Sequence, residues 1–193
     1  MRRTPFVFIR HGETDWNRAL RFQGQRDVPL NEHGRRQAAR NGRAVSGILA
    51  AADWRLVASP LRRSIETMRI ALEAAGQRGR SFATDPVLME VRYGDWEGLT
   101  LDEIGSRHPG AAQAREADKW GYIPPNGESY AMLARRVAEW LKTLDAPTFV
   151  VAHGGVLRTL LHLLGGLPGH DAPHRMVPQD RVILFTRDTV LTI

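Results

Sequence analysis

Arginine and histidine follow two short apolar runs of the sequence. Arg10 and His11 come directly after residues 6–9 (FVFI), and His153 comes directly after residues 148–152 (TFVVA). Arginine presents a planar fork that can bond two oxygens of a phosphoryl group at once, and histidine can serve as a nucleophile or as a charged donor. These residue types at these positions predict a site that handles phosphate.

Two further candidate residues lie in similar positions. Arg63 follows the apolar run WRLVAS, and Glu90 lies within the third apolar segment, DPVLMEV. The carboxyl group adds an acid–base function to the predicted cage of cations. Neither a Walker loop (GxxxxGK[ST]) nor a dinucleotide GxGxxG motif occurs, so the sequence argues against a nucleoside triphosphate as the bound phosphate.

The charge balance also favours an anionic partner. The 193 residues include 27 Lys plus Arg against 21 Asp plus Glu, for a formal net charge of +6. The arginines are scattered along the chain rather than clustered among aromatic residues, which disfavours a nucleic-acid interface. No apolar run approaches the 18 residues of a membrane span, so we expect no membrane partner and a cytoplasmic location.

The residue types limit the chemistry further. The sequence has no cysteine, which excludes disulfides, thiolate nucleophiles and cysteine-based metal sites. His170 and His174 have the i,i+4 spacing of a helical zinc site, but Pro168 and Pro173 disfavour a helix there. We therefore predict no metal site.

Apolar runs alternate with longer amphipathic segments along the chain. Strands are predicted at residues 6–9, in WRLVAS, near DPVLMEV and in TFVVA, and RVILFTRDTVLTI predicts a terminal hairpin around Arg187 and Asp188. Helices are predicted from the N-cap Asn31 onward, after Ser59-Pro60, in SYAMLARRVAEWLKTL and in VLRTLLHLLGGLPG. Alternating strands and helices predict one α/β domain over residues 1–193, with a mostly parallel sheet covered on both faces. In such a sheet the functional crevice lies beyond the carboxyl ends of the strands, where the candidate residues fall.

Six segments in order resemble the histidine phosphatase superfamily, in the branch of cofactor-dependent phosphoglycerate mutases and related phosphatases. They are RHGETDWN (10–17), DVPLNEHGRRQA (27–38), ASPLRRSIET (58–67), LMEVRYGDWEGLT (88–100), PPNGES (124–129) and VAHGGVLR (151–158). The resemblance implies a three-layer α/β/α sandwich and an enzyme without a metal or organic cofactor. It also implies phosphoryl transfer through a phosphohistidine.

The resemblance assigns a role to individual residues. His11 is the implied nucleophile, Arg10, Arg63 and His153 complete the phosphoryl cage, and Glu90 is the implied proton donor to the leaving oxygen. Asn17 would support this pocket, and we also predict Gln23, Gly24 and Gly154 to bind the substrate or its phosphate. Glu97 is the rival carboxylate, which we interpret as structural, and Arg62 is interpreted as a surface or rim residue.

Water or a second substrate could accept the phosphoryl group, and the middle of the chain bears on this choice. Residues 100–129 form a compact segment that lacks the basic run expected after the glutamate block of the mutases. We therefore favour hydrolysis over mutase-type transfer, and we expect this segment to form a lid that faces the substrate.

Two other classes of protein stay open as alternatives. A protein phosphohistidine phosphatase of a phosphorelay would favour an open site without a lid, and a non-catalytic phosphate-binding module would not need His11 and Glu90. The sequence predicts a small phosphorylated substrate, with sugar phosphates, phosphoglycerate and the ribazole phosphate of cobalamin synthesis all left open. Either a monomer or a homodimer is compatible with it.

Overall fold

The computed structural model describes residues 4–186 and 189–193. Within these residues, six strands form one sheet in the order β3-β2-β4-β1-β5-β6. The strands are β1 (Phe6–Arg10), β2 (Arg55–Ala58), β3 (Ala83–Thr84), β4 (Thr148–Ala152), β5 (Val182–Phe185) and β6 (Val190–Thr192). β1 pairs in parallel with β4, β4 with β2, and β2 with β3, whereas β5 and β6 continue the sheet antiparallel. The predicted mostly parallel sheet is confirmed.

Helices cover both faces of the sheet. They are α1 (Asp15–Arg18), α2 (Glu32–Ala50), α3 (Arg62–Ala74), α4 (Leu101–Arg107), α5 (Ala111–Ala117), α6 (Tyr130–Lys142) and α7 (Gly154–Gly165). Short 3-10 turns occur at Pro86–Leu88, Gly94–Trp96 and Ala172–His174. No helix of the described residues is long and apolar enough to cross a membrane.

The alternation of β1 side chains divides the core into two halves. Phe6 and Phe8 are buried against α6 and α7, whereas Val7 and Ile9 are buried against α2 and α3. The neighbouring strand β4 is buried over its whole length. The strands of a sheet that is buried on both faces have apolar residues at successive positions, which is why β1 and β4 do not alternate between apolar and polar residues. The three-layer α/β/α arrangement is therefore confirmed.

Side-chain caps and a glycine mark a boundary in three of the predicted helices, α2, α6 and α7. The Asn31 side chain accepts a hydrogen bond of 2.8 Å from the amide of Gly34 and caps α2. Ser129 caps α6 in the same way through the amide of Met132. Gly166 ends α7 with a φ of 72°, a left-handed conformation that favours glycine.

The third predicted strand is wrong in its position. The strand β3 is Ala83–Thr84, and the middle of the apolar segment DPVLMEV forms the 3-10 turn Pro86–Leu88. Asp85 caps this turn by accepting a hydrogen bond from the amide of Val87, and Pro86 has no N–H to donate to a sheet. Leu88 is buried in the core, so the apolar character of the segment reflects packing rather than strand pairing.

The segment at residues 100–129 and the terminal hairpin can also be compared with their predictions. The middle segment contains the helices α4 and α5, and Thr100 and Glu103 form a capping box that begins α4. β5 and β6 pair as the strands of the predicted terminal hairpin. Arg187 and Asp188, the predicted turn, lie outside the described residues.

Candidate active site

A pocket of about 380 Å³ opens at the carboxyl edge of the parallel strands. Most of the residues predicted for the phosphate site line it. They are Arg10, His11, Asn17, Gln23, Gly24, Arg63 and Glu90. His153 and Gly154 are not part of this lining, although the His153 ring lies behind it with its centroid 5.1 Å from that of His11.

His11 is held in a defined tautomer at the end of β1. Its Nδ1 lies 2.7 Å from the carbonyl oxygen of Gly12, and a carbonyl only accepts, so Nδ1 carries the proton. The Nε2 lone pair is then free. The ring is buried, and desolvation, followed by the charges of Arg63 and Arg10, holds the pKa of His11 well below 6.5. His11 is thus a neutral imidazole at neutral pH, which is the form that a nucleophile needs.

A close approach of two glycines fixes the loop that follows His11. A Cβ atom on Gly12 would lie 2.1 Å from the carbonyl oxygen of Gly34, near the start of α2. The amide of Gly12 also donates a 3.1 Å hydrogen bond to Oγ1 of Thr67 in α3. The glycine of the Arg-His-Gly motif is therefore required by packing.

The two arginines of the predicted cage are anchored through their terminal nitrogens. Arg10 donates from Nη1 to the carbonyl of Val177 at 2.7 Å. Arg63 donates from Nη1 and Nη2 to the carbonyls of Arg26 and Gly24, each at 2.7 Å. Burial lowers the pKa of each arginine to about 10, so both remain charged at neutral pH.

Three buried nitrogen atoms of the cage are left without a partner. Nε of Arg10, Nε of Arg63 and Nδ1 of His153 form no hydrogen bond within the described part of the chain. Buried polar atoms are nearly always paired in folded proteins. Arginine N–H groups beside a neutral histidine suit the oxygens of a phosphoryl group, which they would bond.

The two predicted amide residues are oriented by neighbouring groups. Oδ1 of Asn17 accepts hydrogen bonds from the Thr14 amide at 3.1 Å and from Nε2 of Gln179 at 3.0 Å. Oε1 of Gln23 accepts a hydrogen bond from Oγ1 of Thr14 at 3.0 Å. Because the oxygens are occupied, the NH₂ groups of Asn17 and Gln23 are the ones left to donate to a ligand.

Glu90 and Glu97 have different surroundings. Glu90 lines the pocket and accepts a 2.9 Å hydrogen bond from the amide of Gly155, near the start of α7. Oε1 of Glu97 accepts hydrogen bonds from the amides of Gln25 and Tyr93, and its side chain is 9% exposed. Glu97 thus joins two loops behind the pocket, which agrees with a structural role.

The family follows from a comparison over nearly the whole chain. A model of the histidine phosphatase superfamily (branch 1) matches residues 6–189. The chain belongs to this superfamily. Members of it named glucosyl-3-phosphoglycerate phosphatase and phosphoglycerate mutase are both similar to the chain.

Three of these similar proteins show the degree of similarity in sequence and in structure. The glucosyl-3-phosphoglycerate phosphatase of Mycolicibacterium vanbaalenii is 35% identical over 187 residues, with 90% of this chain and 79% of that protein covered. The phosphoglycerate mutase of Schizosaccharomyces pombe is 31% identical, with 94% of this chain and 89% of that protein covered. The mycobacterial glucosyl-3-phosphoglycerate phosphatase solved in complex with VO₃ has a TM-score of 0.74 and 33% identity. The match covers 94% of this chain and 92% of that one.

Sequence reasoning about this histidine phosphatase missed several residues that line the pocket. Gln179 donates to the carbonyl of His11 at 3.1 Å and to Asn17, although 168 positions separate it from His11. No local pattern marks it. Arg158 is the last residue of the matched segment VAHGGVLR and lies one turn after Gly154 in α7. Its position in this motif could have identified it as a pocket residue. Arg62 is exposed, as predicted for a surface residue.

No group of three or more His, Asp and Glu side chains among the described residues could hold a metal ion. His170 is exposed, and its nearest ionic neighbour is Asp171 at 3.5 Å. His174 lies in the 3-10 turn Ala172–His174, 3.6 Å from Glu116.

Proposed function

We propose that this protein hydrolyses small phosphomonoesters through a phosphohistidine on Nε2 of His11. One observation carries the proposal: a neutral, buried His11 lies beside two charged arginines, and within residues 4–186 and 189–193 the Nε atoms of these arginines have no hydrogen-bond partner. Nucleophile and anion-binding donors therefore share one pocket.

In the first step Nε2 of His11 attacks phosphorus, and the bond from phosphorus to the ester oxygen breaks. Arg10, Arg63 and His153 would stabilise the charge on the three equatorial oxygens of the transferred group. The departing oxygen takes a proton from the Glu90 carboxyl group, so the alcohol leaves neutral. The products of this step are phosphohistidine, the alcohol and the Glu90 carboxylate.

In the second step water attacks the phosphohistidine. The Glu90 carboxylate accepts one proton of the water as its oxygen bonds to phosphorus, and the bond to Nε2 breaks. Inorganic phosphate leaves, His11 is again neutral, and Glu90 is again protonated. The first step can then repeat with a new ester molecule.

A labelling experiment tests the nucleophile. Protein mixed briefly with a ³²P-labelled ester and then quenched in base should carry label that acid removes, as expected for phosphohistidine. His11→Ala should carry none and should release no phosphate, while the exposed His33→Ala should behave as the parent protein. Acid-labile label that survives in His11→Ala would place the nucleophile elsewhere.

Mutase-type transfer is the second candidate function, since some of the similar proteins are named phosphoglycerate mutases. A panel of phosphorylated metabolites, assayed for inorganic phosphate with and without a diphosphoglycerate primer, separates the two. We expect phosphate release without the primer, because the segment at residues 100–129 lacks a basic run. Isomerised phosphoglycerate that forms only with the primer, without net phosphate release, would instead show a mutase.

We further propose that residues 1–193 act as one catalytic domain, in the cytoplasm, as a monomer or homodimer. Limited proteolysis would test the single domain and light scattering the oligomeric state. Cell fractionation would test the location.

A further inference from the structure

Glu90 lies on backbone that belongs to no helix or strand. Residues 89–93 follow the 3-10 turn Pro86–Leu88 without joining the sheet. Within the described residues, the carbonyls of Val87, Met89 and Glu90 accept no hydrogen bond from a backbone N–H. Buried or half-buried carbonyls are nearly always paired in folded proteins, so side chains must supply the donors for this segment.

Arg136 in α6 supplies most of these donors. Its Nη1 donates to the carbonyl of Val87, and its Nη2 donates to the carbonyls of Met89 at 2.8 Å and Glu90 at 3.2 Å. The Glu90 carbonyl also accepts a 3.1 Å hydrogen bond from Nε2 of Gln25. One guanidinium group thus contacts the backbone of Glu90 and of the residues just before it.

Glu128 orients this guanidinium group and binds the other end of the segment. Its Oε1 lies 2.9 Å from Nε of Arg136, and its Oε2 lies 3.0 Å from Nη2, a two-point pair that fixes the plane of the guanidinium. Oε2 also accepts a 3.0 Å hydrogen bond from the amide of Arg92, whose carbonyl accepts one of 2.8 Å from the amide of Glu128. Both side chains of the pair are mostly buried, where salt screens an ion pair less than at the surface.

The Glu90 carboxyl group has no comparable anchor of its own. The amides of Val91 and Gly155 donate to it, at distances of 2.9 to 3.1 Å, and no side chain of the described residues forms a hydrogen bond with it. Its position in the pocket therefore depends on where the backbone of Glu90 lies. That backbone position depends in turn on Arg136 and Glu128.

We propose that Arg136, oriented by Glu128, is a positioning residue for the Glu90 carboxyl group. The inference rests on the proposed function, in which Glu90 gives a proton to the leaving oxygen. Arg136 bonds the backbone and not the substrate, so its loss displaces the proton donor and leaves the His11 nucleophile on β1 in place. A displacement of ~1 Å can reduce a rate about 10²-fold.

Two esters with different leaving groups test the proposal. In Arg136→Met, phosphoenzyme formation from glycerol 3-phosphate should fall about 10²-fold, and from p-nitrophenyl phosphate far less, because nitrophenolate leaves without a proton. Arg136→Lys keeps the positive charge but has one nitrogen where the guanidinium has three, so the same pattern should appear with a smaller loss. The exposed neighbour Arg135→Met is the matched control. Arg136→Lys carries the test alone if Arg136→Met does not fold.

A double variant shows whether Arg136 acts through Glu90. Phosphoenzyme formation from glycerol 3-phosphate should be as fast in Glu90→Gln combined with Arg136→Met as in Glu90→Gln alone, since a proton donor that is already removed cannot be displaced. Losses that multiply in the double variant would overturn the positioning role. Equal losses with both esters in Arg136→Met would do the same, because Arg136 would then support the fold or the phosphoryl cage.

A measurement without turnover separates this inference from the proposed function. NMR reads the amide proton of Gly155, which donates to the Glu90 carboxyl group. Its resonance should move in both Arg136 variants toward its position in Glu90→Ala, and should stay in place in Arg135→Met. An unmoved resonance in both Arg136 variants would overturn the positioning role. A moved resonance, in a protein whose Glu90→Gln variant phosphorylates normally with both esters, would support the positioning of Glu90 and contradict only its role as the proton donor.

Discussion

Oγ of Ser59 lies 2.7 Å from Nε2 of His153, and both side chains are fully buried. Desolvation, followed by the charge of Arg63, holds the pKa of His153 well below 6.5, so the free ring is neutral and only one nitrogen carries a proton. Oγ of Ser59 accepts from the amide of Leu61 at 3.4 Å, and Oγ of Ser64 lies 3.4 Å from the same Nε2, so we infer that a serine hydroxyl donates to Nε2. His153 then carries its proton on Nδ1, the atom that has no hydrogen-bond partner among the described residues.

Ser59→Ala should therefore weaken phosphoryl binding by His153. Without this hydroxyl, only the longer 3.4 Å contact with Ser64 faces Nε2 among the described residues, so the proton moves to Nε2 more easily, and a lone pair on Nδ1 would repel a phosphoryl oxygen. We expect the affinity for vanadate to fall about tenfold, the order expected for one lost buried hydrogen bond. Ser59→Thr should retain most of the affinity, and Ser46→Ala, at a half-buried serine of α2, is the control. Vanadate affinity unchanged in Ser59→Ala would mean that the tautomer is fixed by other contacts.

The ionisation of His11 gives a second prediction. Since burial and two arginines lower its pKa well below 6.5, His11 should stay neutral at pH 6 and gain a proton only as the pH falls further. NMR of ¹⁵N-histidine-labelled protein reads this directly from the ring nitrogen shifts. A protonated His11 ring at pH 6 in the ligand-free protein would contradict the neutral nucleophile.

Activity should not need a divalent metal. The cage supplies positive charge from Arg10 and Arg63 at the place where other phosphatases use metal ions. Excess chelator should leave the rate of phosphate release unchanged. A large loss that Mg²⁺, Mn²⁺ or Zn²⁺ restores would contradict the arginine-based mechanism.

Gly155 offers a way to displace Glu90 without changing the carboxylate. A Cβ atom on Gly155 would lie 2.2 Å from Oε1 of Glu90, so Gly155→Ala must push that group away from the start of α7. We expect most of the roughly 10²–10⁴-fold contribution of acid–base catalysis to be lost. Gly47→Ala is the matched control, because a Cβ there meets no atom of the described residues within 4 Å. Nearly normal turnover in Gly155→Ala, measured on folded protein, would show that Glu90 tolerates displacement.

The sequence predicted the strands and helix starts that depend on interactions between residues close together in the chain. The buried strands β1 and β4 read as apolar runs, and Asn31 and Ser129 mark helix starts because each caps through its own side chain. The segment DPVLMEV is equally apolar, yet Pro86 and the Asp85 cap turn it into a 3-10 helix. The apolar composition favours a strand, but the hydrogen bond from the Val87 amide to Asp85 and the missing N–H of Pro86 favour the 3-10 turn.

In the candidate site too, residues in local motifs were predicted, and a residue placed only by tertiary structure was not. Motifs located His11, Arg63 and Glu90, because each follows an element of the sheet or lies in a matched segment. Gln179 reaches His11 only through the tertiary path of the chain between α7 and β5, which carries no motif. Arg158 was visible in a motif, but its exposure to the pocket depends on how α7 packs against the segment at residues 173–178.

Glu90→Gln tests the proton donor by comparing two leaving groups. The leaving group of an alkyl phosphate is a strongly basic alkoxide unless its oxygen is protonated as it departs. The p-nitrophenolate of p-nitrophenyl phosphate is a weak base and leaves readily without a proton. Phosphoenzyme formation from an alkyl phosphate should therefore fall by roughly 10²–10⁴-fold in Glu90→Gln, and from p-nitrophenyl phosphate by far less. The second step should slow with both esters, since the same carboxylate accepts the proton of water, so phosphoenzyme should accumulate with the activated ester. Single-turnover measurements separate the two steps, and equal losses in the first step would leave Glu90 only a positioning role.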